Sequence, residues 1–296
     1  MDSQETLAAV QLAAAIMVLA YASVLDLRTR RVPNAFWIVL SAFGVLLLPV
    51  RIIMDEAPIE YVLILIPVLA ILSDVFWDTD DDSSYRRYSP IAKYAIALIA
   101  TVALGSAWAA EKHFQPLLAI PVVMMVIVLM YMFDLIRGGA DAKALIALSI
   151  LFPIYPSISG MPFIPGNEAM QIVFPFAISV LTNAAILVAF LPVAFLMRNL
   201  VKGDLRFPQV FVGYVLDIDE VAGRHVWLME RIERGKHIFY SRPKSDEDIS
   251  REIQKLRERD VARVWITPKI PFIVPMLGGV VLTTVLGNVL FLLFGF

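Results

Sequence analysis

Long, uninterrupted apolar runs constrain the fold of this chain more than any other feature. Eight of them occur, at residues 7–25, 34–53, 59–76, 90–109, 115–136, 141–158, 171–197 and 272–294. A helix of about 20 apolar residues crosses a bilayer, and a backbone inside lipid must satisfy its own hydrogen bonds. Because the runs are continuous and do not alternate with polar residues, they predict an all-α polytopic membrane domain of about eight transmembrane helices.

The third and fourth runs fit this count least well. The third run carries Asp74, and prolines lie within or beside both runs. Six transmembrane helices with a re-entrant pair are therefore an open alternative.

The overall composition also indicates a membrane protein. Of 296 residues, 59% are hydrophobic and 18% charged, with a mean hydropathy of +0.75, whereas about a quarter of a soluble domain is charged. The 25 basic and 27 acidic residues nearly balance, which does not favour nucleic acid as a partner. Without any cysteine, and with three scattered histidines that lack metal-ligand spacing, we expect neither a metal nor a cofactor.

Basic residues follow alternate apolar runs. The loops after the first, third, fifth and seventh runs are rich in arginine and lysine, whereas the intervening loops contain few. Cytoplasmic loops of membrane proteins carry an excess of these residues. We therefore expect a multi-pass protein of the cell (plasma) membrane, surrounded by lipid, with these four loops in the cytoplasm and both chain ends outside.

A polar insert separates the seventh run from the last. Residues 198–269 contain 15 of the 25 basic residues and 12 of the 27 acidic ones. Alternating patterns predict strands at 209–217, 224–231, 236–241 and 263–267, and a helix at 246–259. We therefore expect a membrane domain at 1–197, a small cytoplasmic α+β domain at 198–270 and a last transmembrane helix at 271–296.

Two aspartates lie where an apolar run meets a basic cluster, and the loop assignment puts both at the cytoplasmic face. Asp26 ends the first run just before Arg28, and Asp141 begins the sixth run after Gly138 and Gly139. In an aspartic protease, one carboxylate is the general base for water while its protonated partner polarises the scissile carbonyl. Asp26 and Asp141 are therefore candidate catalytic residues.

The same two aspartates also have a purely structural explanation. Asp26 would pair with the arginines at a helix end, and Asp141 would cap the helix that follows a Gly-Gly turn. Carboxylates at the membrane boundary are common. Their positions in the sequence do not separate this explanation from catalysis.

Three motifs in order resemble the type IV prepilin peptidase family. They are Asp26 followed by Val32-Pro33-Asn34, then Gly-Gly-Ala-Asp-Ala-Lys at 138–143, then Pro-Lys-Ile-Pro-Phe-Ile-Val-Pro at 268–275. The polar insert is similar to that of the family's archaeal preflagellin peptidase branch at residues 211–214, 223–232 and 264–268.

The resemblance implies a membrane aspartyl endopeptidase of the GxGD class, with Asp26 and Asp141 as the catalytic pair. It also implies supporting or substrate-binding roles for Pro33, Asn34, Gly138, Gly139, Ala140 and Lys143. The substrates would be archaellin (preflagellin) or pilin-like precursors, whose short basic leaders are cut at the cytoplasmic face. Ala140 departs from the class, which has glycine there, although the residue is still small. Archaeal members have about six spans, so an extra helical pair is expected within 59–110.

Two other functions fit the same sequence features. An ion-coupled transporter would use the intramembrane aspartates as proton sites. A non-catalytic membrane scaffold would use its cytoplasmic domain to bind a partner protein.

Overall fold

The structure is a computed structural model that describes residues 3–76, 84–164, 166–221, 223–234, 236–240 and 249–294. The chain forms two compact units. The first comprises Met1–Ala185 and Pro271–Phe296, and the second comprises Ile186–Ile270. The beginning of the helix predicted at 246–259, residues 246–248, lies outside the described residues.

Helices dominate the described chain. They are α1 (Ser3–Thr29), α2 (Asn34–Met54), α3 (Leu65–Phe76), α4 (Ser84–Trp108), α5 (Gln115–Met132), α6 (Gly139–Leu151), α7 (Glu168–Val173), α8 (Phe176–Ala189), α9 (Leu191–Lys202), α10 (Ile218–Val221), α11 (Ile249–Arg257), α12 (Ile273–Val285) and α13 (Val289–Phe294). A 3-10 helix at Ile59–Ile64 leads into α3. The strands are β1 (Tyr214–Asp217), β2 (Val226–Leu228), β3 (Glu230–Glu233), β4 (Lys236–Phe239) and β5 (Arg263–Pro268).

Six helical segments among the described residues are long and apolar enough to cross a membrane. They are Ser3–Thr29, Asn34–Met54, Ile59–Phe76, Ser89–Trp108, Gln115–Met132 and Phe176–Lys202. Six of the eight predicted runs therefore form helices of membrane-spanning length. The third and fourth runs are among them, although the sequence suggested that they were the weakest.

The sixth and eighth runs form shorter helices, α6 and α12, of 13 residues each, so the described chain does not confirm eight spans. A residue before a proline avoids the helical region. Accordingly, α6 stops one residue before Phe152, which precedes Pro153 and has φ −125° and ψ 77°. Just beyond α12 lies Gly287, with φ +92°, where an added Cβ would lie 2.1 Å from the Ile164 carbonyl oxygen. Only a glycine fits this crossing, which divides the last run into α12 and α13.

The short α6 is the central helix of the first unit. Every residue from Ala144 to Leu151 is buried, and α6 contacts α1, α2, α5 and α12. Small residues allow close packing of helices in a membrane. At Gly44 of α2, an added Cβ would lie 3.0 Å from the Leu151 backbone nitrogen. Protein rather than lipid therefore surrounds most of α6.

The polar side chain of Asn183 in α8 is fully buried in the first unit. Its amide donates to Thr283 Oγ1 and to the Gly287 carbonyl, both at 2.9 Å, and its Oδ1 accepts from the Val289 backbone N–H at 3.0 Å. Such bonds between helices satisfy a polar group that lipid cannot. Asn183 therefore joins α8 to the end of α12.

The second unit combines short strands with helices. Antiparallel strands in the order β1-β5-β2 make one sheet, and β3 and β4 form a separate hairpin. The apolar residues Ile253 and Leu256 of α11 are buried in the core of this unit. The small α+β arrangement predicted for this region is thus observed.

Two predicted strands differ in detail. The first, at 209–217, begins as a 3-10 helix at Gln209–Phe211. The second, at 224–231, is divided at Met229 between β2 and β3, which belong to different sheets. The backbone N–H of the fully buried Met229 donates to the carbonyl of Trp265 in β5, and its carbonyl accepts from the N–H of Tyr240, the residue after β4. Met229 therefore joins the two sheets.

Candidate active site

Asp26 lies in the last part of α1, three residues before the helix ends. Its side chain is half-buried, and its backbone carbonyl accepts a hydrogen bond from the Arg30 N–H at 3.0 Å. Arg30 is also close enough to interact electrostatically with the Asp26 carboxylate. Asp26 therefore lies close to the basic cluster that follows it in the sequence.

Asp141 lies in the first turn of α6. The exposed N–H groups at the beginning of a helix favour a negative charge there. The carboxylate is folded back over Gly138, the residue before the helix, so an added Cβ at Gly138 would lie 2.0 Å from Asp141 Oδ2. At Gly139 an added Cβ would lie 3.4 Å from the Tyr131 hydroxyl. Gly138 thus provides the space that the carboxylate occupies.

Ala140 does not conflict with this arrangement. It is half-buried and packs against the hydrophobic core of the first unit. The methyl group that replaces the expected glycine therefore contributes to packing against this core.

The two candidate aspartates lie on helices that touch each other. Helices α1 and α6 are in contact, and the Asp26 and Asp141 carboxylates are close enough to interact electrostatically. Two carboxylates that share a site do not both ionise readily, and such a pair can supply one acid and one base. The geometry is compatible with acid–base chemistry, and the catalytic roles of both residues stay predictions.

Lys143 connects α6 to two other helices. Its Nζ donates to Asn34 Oδ1 at 2.9 Å and lies 6.0 Å from the centroid of the Phe76 ring. Asn34 is the first residue of α2, and the exposed Pro33 precedes it. The motif residues Asn34 and Lys143, which are far apart in the sequence, thus meet directly and link α2 to α6.

A cavity of about 410 Å³ lies beside the first turn of α6. Four residues of α6 form one part of its wall: Gly139, Ala142, Lys143 and Ile146. Helices α3, α4 and α5 provide the rest: Asp74, Val75, Phe76, Pro90, Tyr94, Val128, Tyr131 and Met132. The cavity is mainly apolar, with a few polar groups, as is common for binding sites.

Asp74 is the carboxylate of this cavity, and sequence reasoning did not assign it to the candidate site. It forms an ion pair with Lys93 at 3.5 Å and a hydrogen bond with the Tyr94 hydroxyl. A charged residue within an apolar run was a usable signal, because such residues often mark functional sites. Tyr94 and Tyr131 gave no comparable signal, since aromatic residues are ordinary in membrane helices.

Comparisons with known proteins support the resemblance that the motifs indicate. Residues 206–289 match the family model described as Archaeal Peptidase A24 C-terminus Type II. The chain is 26% identical over 164 residues to a preflagellin peptidase of Methanocaldococcus jannaschii and 27% identical over 169 residues to one of Methanococcus voltae. Each alignment covers 53% of this chain and 66% of the relative, just under two thirds of its length.

A third relative agrees with the first two. A preflagellin peptidase of Methanococcus maripaludis is 26% identical over 161 residues, which cover 51% of this chain and 64% of that protein. The predicted resemblance to preflagellin peptidases is therefore confirmed.

Proposed function

We propose that this protein is a membrane aspartyl endopeptidase that removes leader peptides from preflagellin-like or prepilin-like precursors. The observation that supports this most strongly is that Asp26 and Asp141, which are distant in the sequence, lie on the contacting helices α1 and α6 and are close enough to interact electrostatically. The similarity to preflagellin peptidases supports the choice of substrate.

The proposed reaction needs only the two carboxyl groups and water. The ionised carboxylate takes a proton from water, and the resulting hydroxide attacks the scissile carbonyl carbon while the protonated carboxyl donates a hydrogen bond to the carbonyl oxygen. The tetrahedral intermediate collapses as the amide nitrogen receives a proton from the carboxyl that gained one. The C–N bond breaks, and the aspartate pair again holds one proton.

The cavity beside α6 is the proposed binding site for the precursor residues next to the cut. Its wall includes Gly139 and Lys143, which flank Asp141 in the sequence. Its apolar residues suit the hydrophobic part of a membrane-anchored precursor, and Gly139 adds no side chain to the wall that an extended backbone would pass. The basic loops after α1 and α5 support a reaction at the cytoplasmic face of the cell membrane.

A cleavage assay tests this proposal. Membranes that contain the protein are mixed with a precursor that has a basic leader, and the shortened product is followed by electrophoresis and mass spectrometry. We expect Asp26→Asn and Asp141→Asn each to abolish cleavage, because one carboxyl cannot supply both the base and the acid. Full cleavage by either variant would show that the pair is not the catalytic machinery.

Asp134→Asn is the matched control. Asp134 is an exposed acid in the turn after α5, seven residues before Asp141. This variant should cleave at the wild-type rate, since its carboxylate lies in a solvent-exposed turn. Loss of cleavage in Asp134→Asn with retention in Asp141→Asn would transfer the proposed role to Asp134.

A further inference from the structure

Helix α9 in the second unit has two different faces. On the inner face, the buried Asn199 donates to the carbonyls of Val210 at 3.0 Å and Gly213 at 2.8 Å. Leu196 on the same face packs against a buried cluster that includes Met229 and Trp265. This face therefore fixes α9 to the rest of its own unit.

The outer face of α9 is apolar and exposed. Val193, Met197, Leu200 and Val201 are 51%, 62%, 55% and 87% exposed. Their spacing of four, three and one residues places them on one side of a helix. An apolar strip of this kind on a helix is typical of a surface that faces lipid.

The apolar surface continues beyond the end of the helix. The chain leaves α9 at Gly203, whose φ is +73°, and next presents Leu205 and Phe207, which are 61% and 74% exposed. The Phe207 ring packs edge-on against Phe211 with centroids 5.3 Å apart. The loop thus holds an exposed aromatic ring in a defined position just outside the helical segment Phe176–Lys202, which is long and apolar enough to cross a membrane.

The charges beside this loop are cationic. Lys202 and Arg206 are exposed, and the Arg206 guanidinium lies 3.3 Å from the centroid of the Phe239 ring. The acidic residue between them, Asp204, accepts two hydrogen bonds from Arg263 at 3.0 and 2.7 Å. Because Arg263 neutralises that carboxylate, Lys202 and Arg206 give the loop a net positive charge.

We propose that residues 202–207 form a second membrane contact, in which Leu205 and Phe207 insert into the interfacial layer of the leaflet where α9 ends. Lys202 and Arg206 bind anionic lipid headgroups in the same layer. Lipid is the occupant because the apolar strip is continuous with a membrane-spanning segment and because basic residues beside a span are attracted to anionic lipid. The contact would hold the polar unit against the membrane, and it does not depend on peptidase activity.

Single-cysteine labelling tests this contact, since the chain contains no cysteine. Nitroxide labels are attached to Leu205→Cys and Phe207→Cys in the full-length protein in phosphatidylcholine bilayers with and without phosphatidylglycerol. Asp219→Cys is the control, because this side chain belongs to the same unit and is 83% exposed. Collision rates with oxygen, which dissolves in lipid, and with a water-soluble nickel complex report the depth of each label.

The labels at 205 and 207 should collide more with oxygen than with nickel, and the label at 219 should show the reverse. Phosphatidylglycerol should deepen the labels at 205 and 207, and Lys202→Glu combined with Arg206→Glu should abolish that deepening. Nickel access at 205 and 207 equal to that at 219 would overturn the proposal. Spin–spin broadening shows that two labels lie close together, and its loss on dilution with unlabelled protein shows that they belong to different molecules. That result would also overturn the proposal, because a second copy of the chain and not lipid would then cover the surface.

Discussion

At the scale of single residues, the position of the Asp141 carboxylate depends on the absence of a side chain at Gly138. The carboxylate occupies the position that a side chain at 138 would take. A Gly-Gly pair before an apolar run predicts a turn, but it does not reveal which atom uses the free space. Sequence reasoning located both aspartates because charged groups at the ends of apolar runs are conspicuous. It did not locate Asp74, because its neighbours in the cavity come from four separate helices.

Gly138→Ala should reduce cleavage by about 100-fold or more, because a displacement of about 1 Å at a reacting group has effects of that size. The new methyl group would lie 2.0 Å from Asp141 Oδ2 and force the carboxylate to move. Gly105→Ala is the control, since its methyl group would meet Leu118 at an ordinary 3.5 Å. Both variants are compared with wild type in the precursor assay and in thermal unfolding. If Gly138→Ala cleaves at the wild-type rate, the position of the Asp141 carboxylate over Gly138 is not needed for catalysis.

We expect the Lys143–Asn34 hydrogen bond to stabilise the first unit only when both partners are present. Lys143→Met and Asn34→Ala should each lower the free energy of unfolding, with a coupling energy of about 1 kcal/mol between them, as is usual for a partly exposed hydrogen bond. The double-mutant cycle is measured by denaturant titration in micelles. Fully additive effects would mean that the 2.9 Å contact contributes nothing to stability.

At the scale of elements, apolar length alone did not predict where helices end. The runs at 141–158 and 272–294 are long enough to span a bilayer, yet α6 and α12 have 13 residues each. Pro153 and Gly287 set these ends, and the requirement at Gly287 comes from Ile164, which is remote in the sequence. The polar insert was predicted more closely, because alternating burial on short strands is a local pattern. The division at Met229 depends on long-range pairing and was not predictable.

Glu230 links three strands and should make the stability of the second unit depend on pH. It is buried in β3, accepts a hydrogen bond from the Trp265 N–H of β5 and shares a hydrogen bond with His237 Nε2 of β4. Burial raises the pKa of the Glu230 carboxyl above its ordinary value, against the opposing effects of Trp265, His237 and Arg206. The folded state therefore binds this proton more tightly than the unfolded chain does. The stabilisation is complete at low pH and is lost as pH rises through the raised value.

Hydrogen exchange of β5 measures this effect. Glu230→Gln keeps the shape of the side chain but cannot ionise. After correction for intrinsic exchange, protection of the amides of residues 263–267 in the wild type relative to Glu230→Gln should fall as pH rises from about 4, near the ordinary glutamate pKa, towards neutrality. A ratio that rises over this range would show that the ionised carboxylate is the more stable form.

At the scale of the whole molecule, the motifs around the two aspartates and the family-model match lie in different parts of the chain. The candidate site belongs to the first unit, whereas the family-model match begins at residue 206, in the second unit, and extends to residue 289. The motifs around the aspartates and the family-model match, which excludes those motifs, therefore indicate similarity to the same group of peptidases from different parts of the chain. The orientation in the membrane, in contrast, depends only on the distribution of basic residues in the loops.

Labelling of single cysteines in whole cells tests that orientation. Lys112→Cys lies in the loop before α5 and Arg137→Cys in the loop after it, and the parent chain, without cysteine, gives the background. A membrane-impermeant maleimide should label position 112 on intact cells and position 137 only after permeabilisation, because α5 crosses the membrane between them. Position 137 is four residues from Asp141. If position 137 is labelled on intact cells, the aspartate pair lies on the outer side of the membrane. Leaders of precursors in the cytoplasm could not reach the pair there, and the proposed function would be wrong.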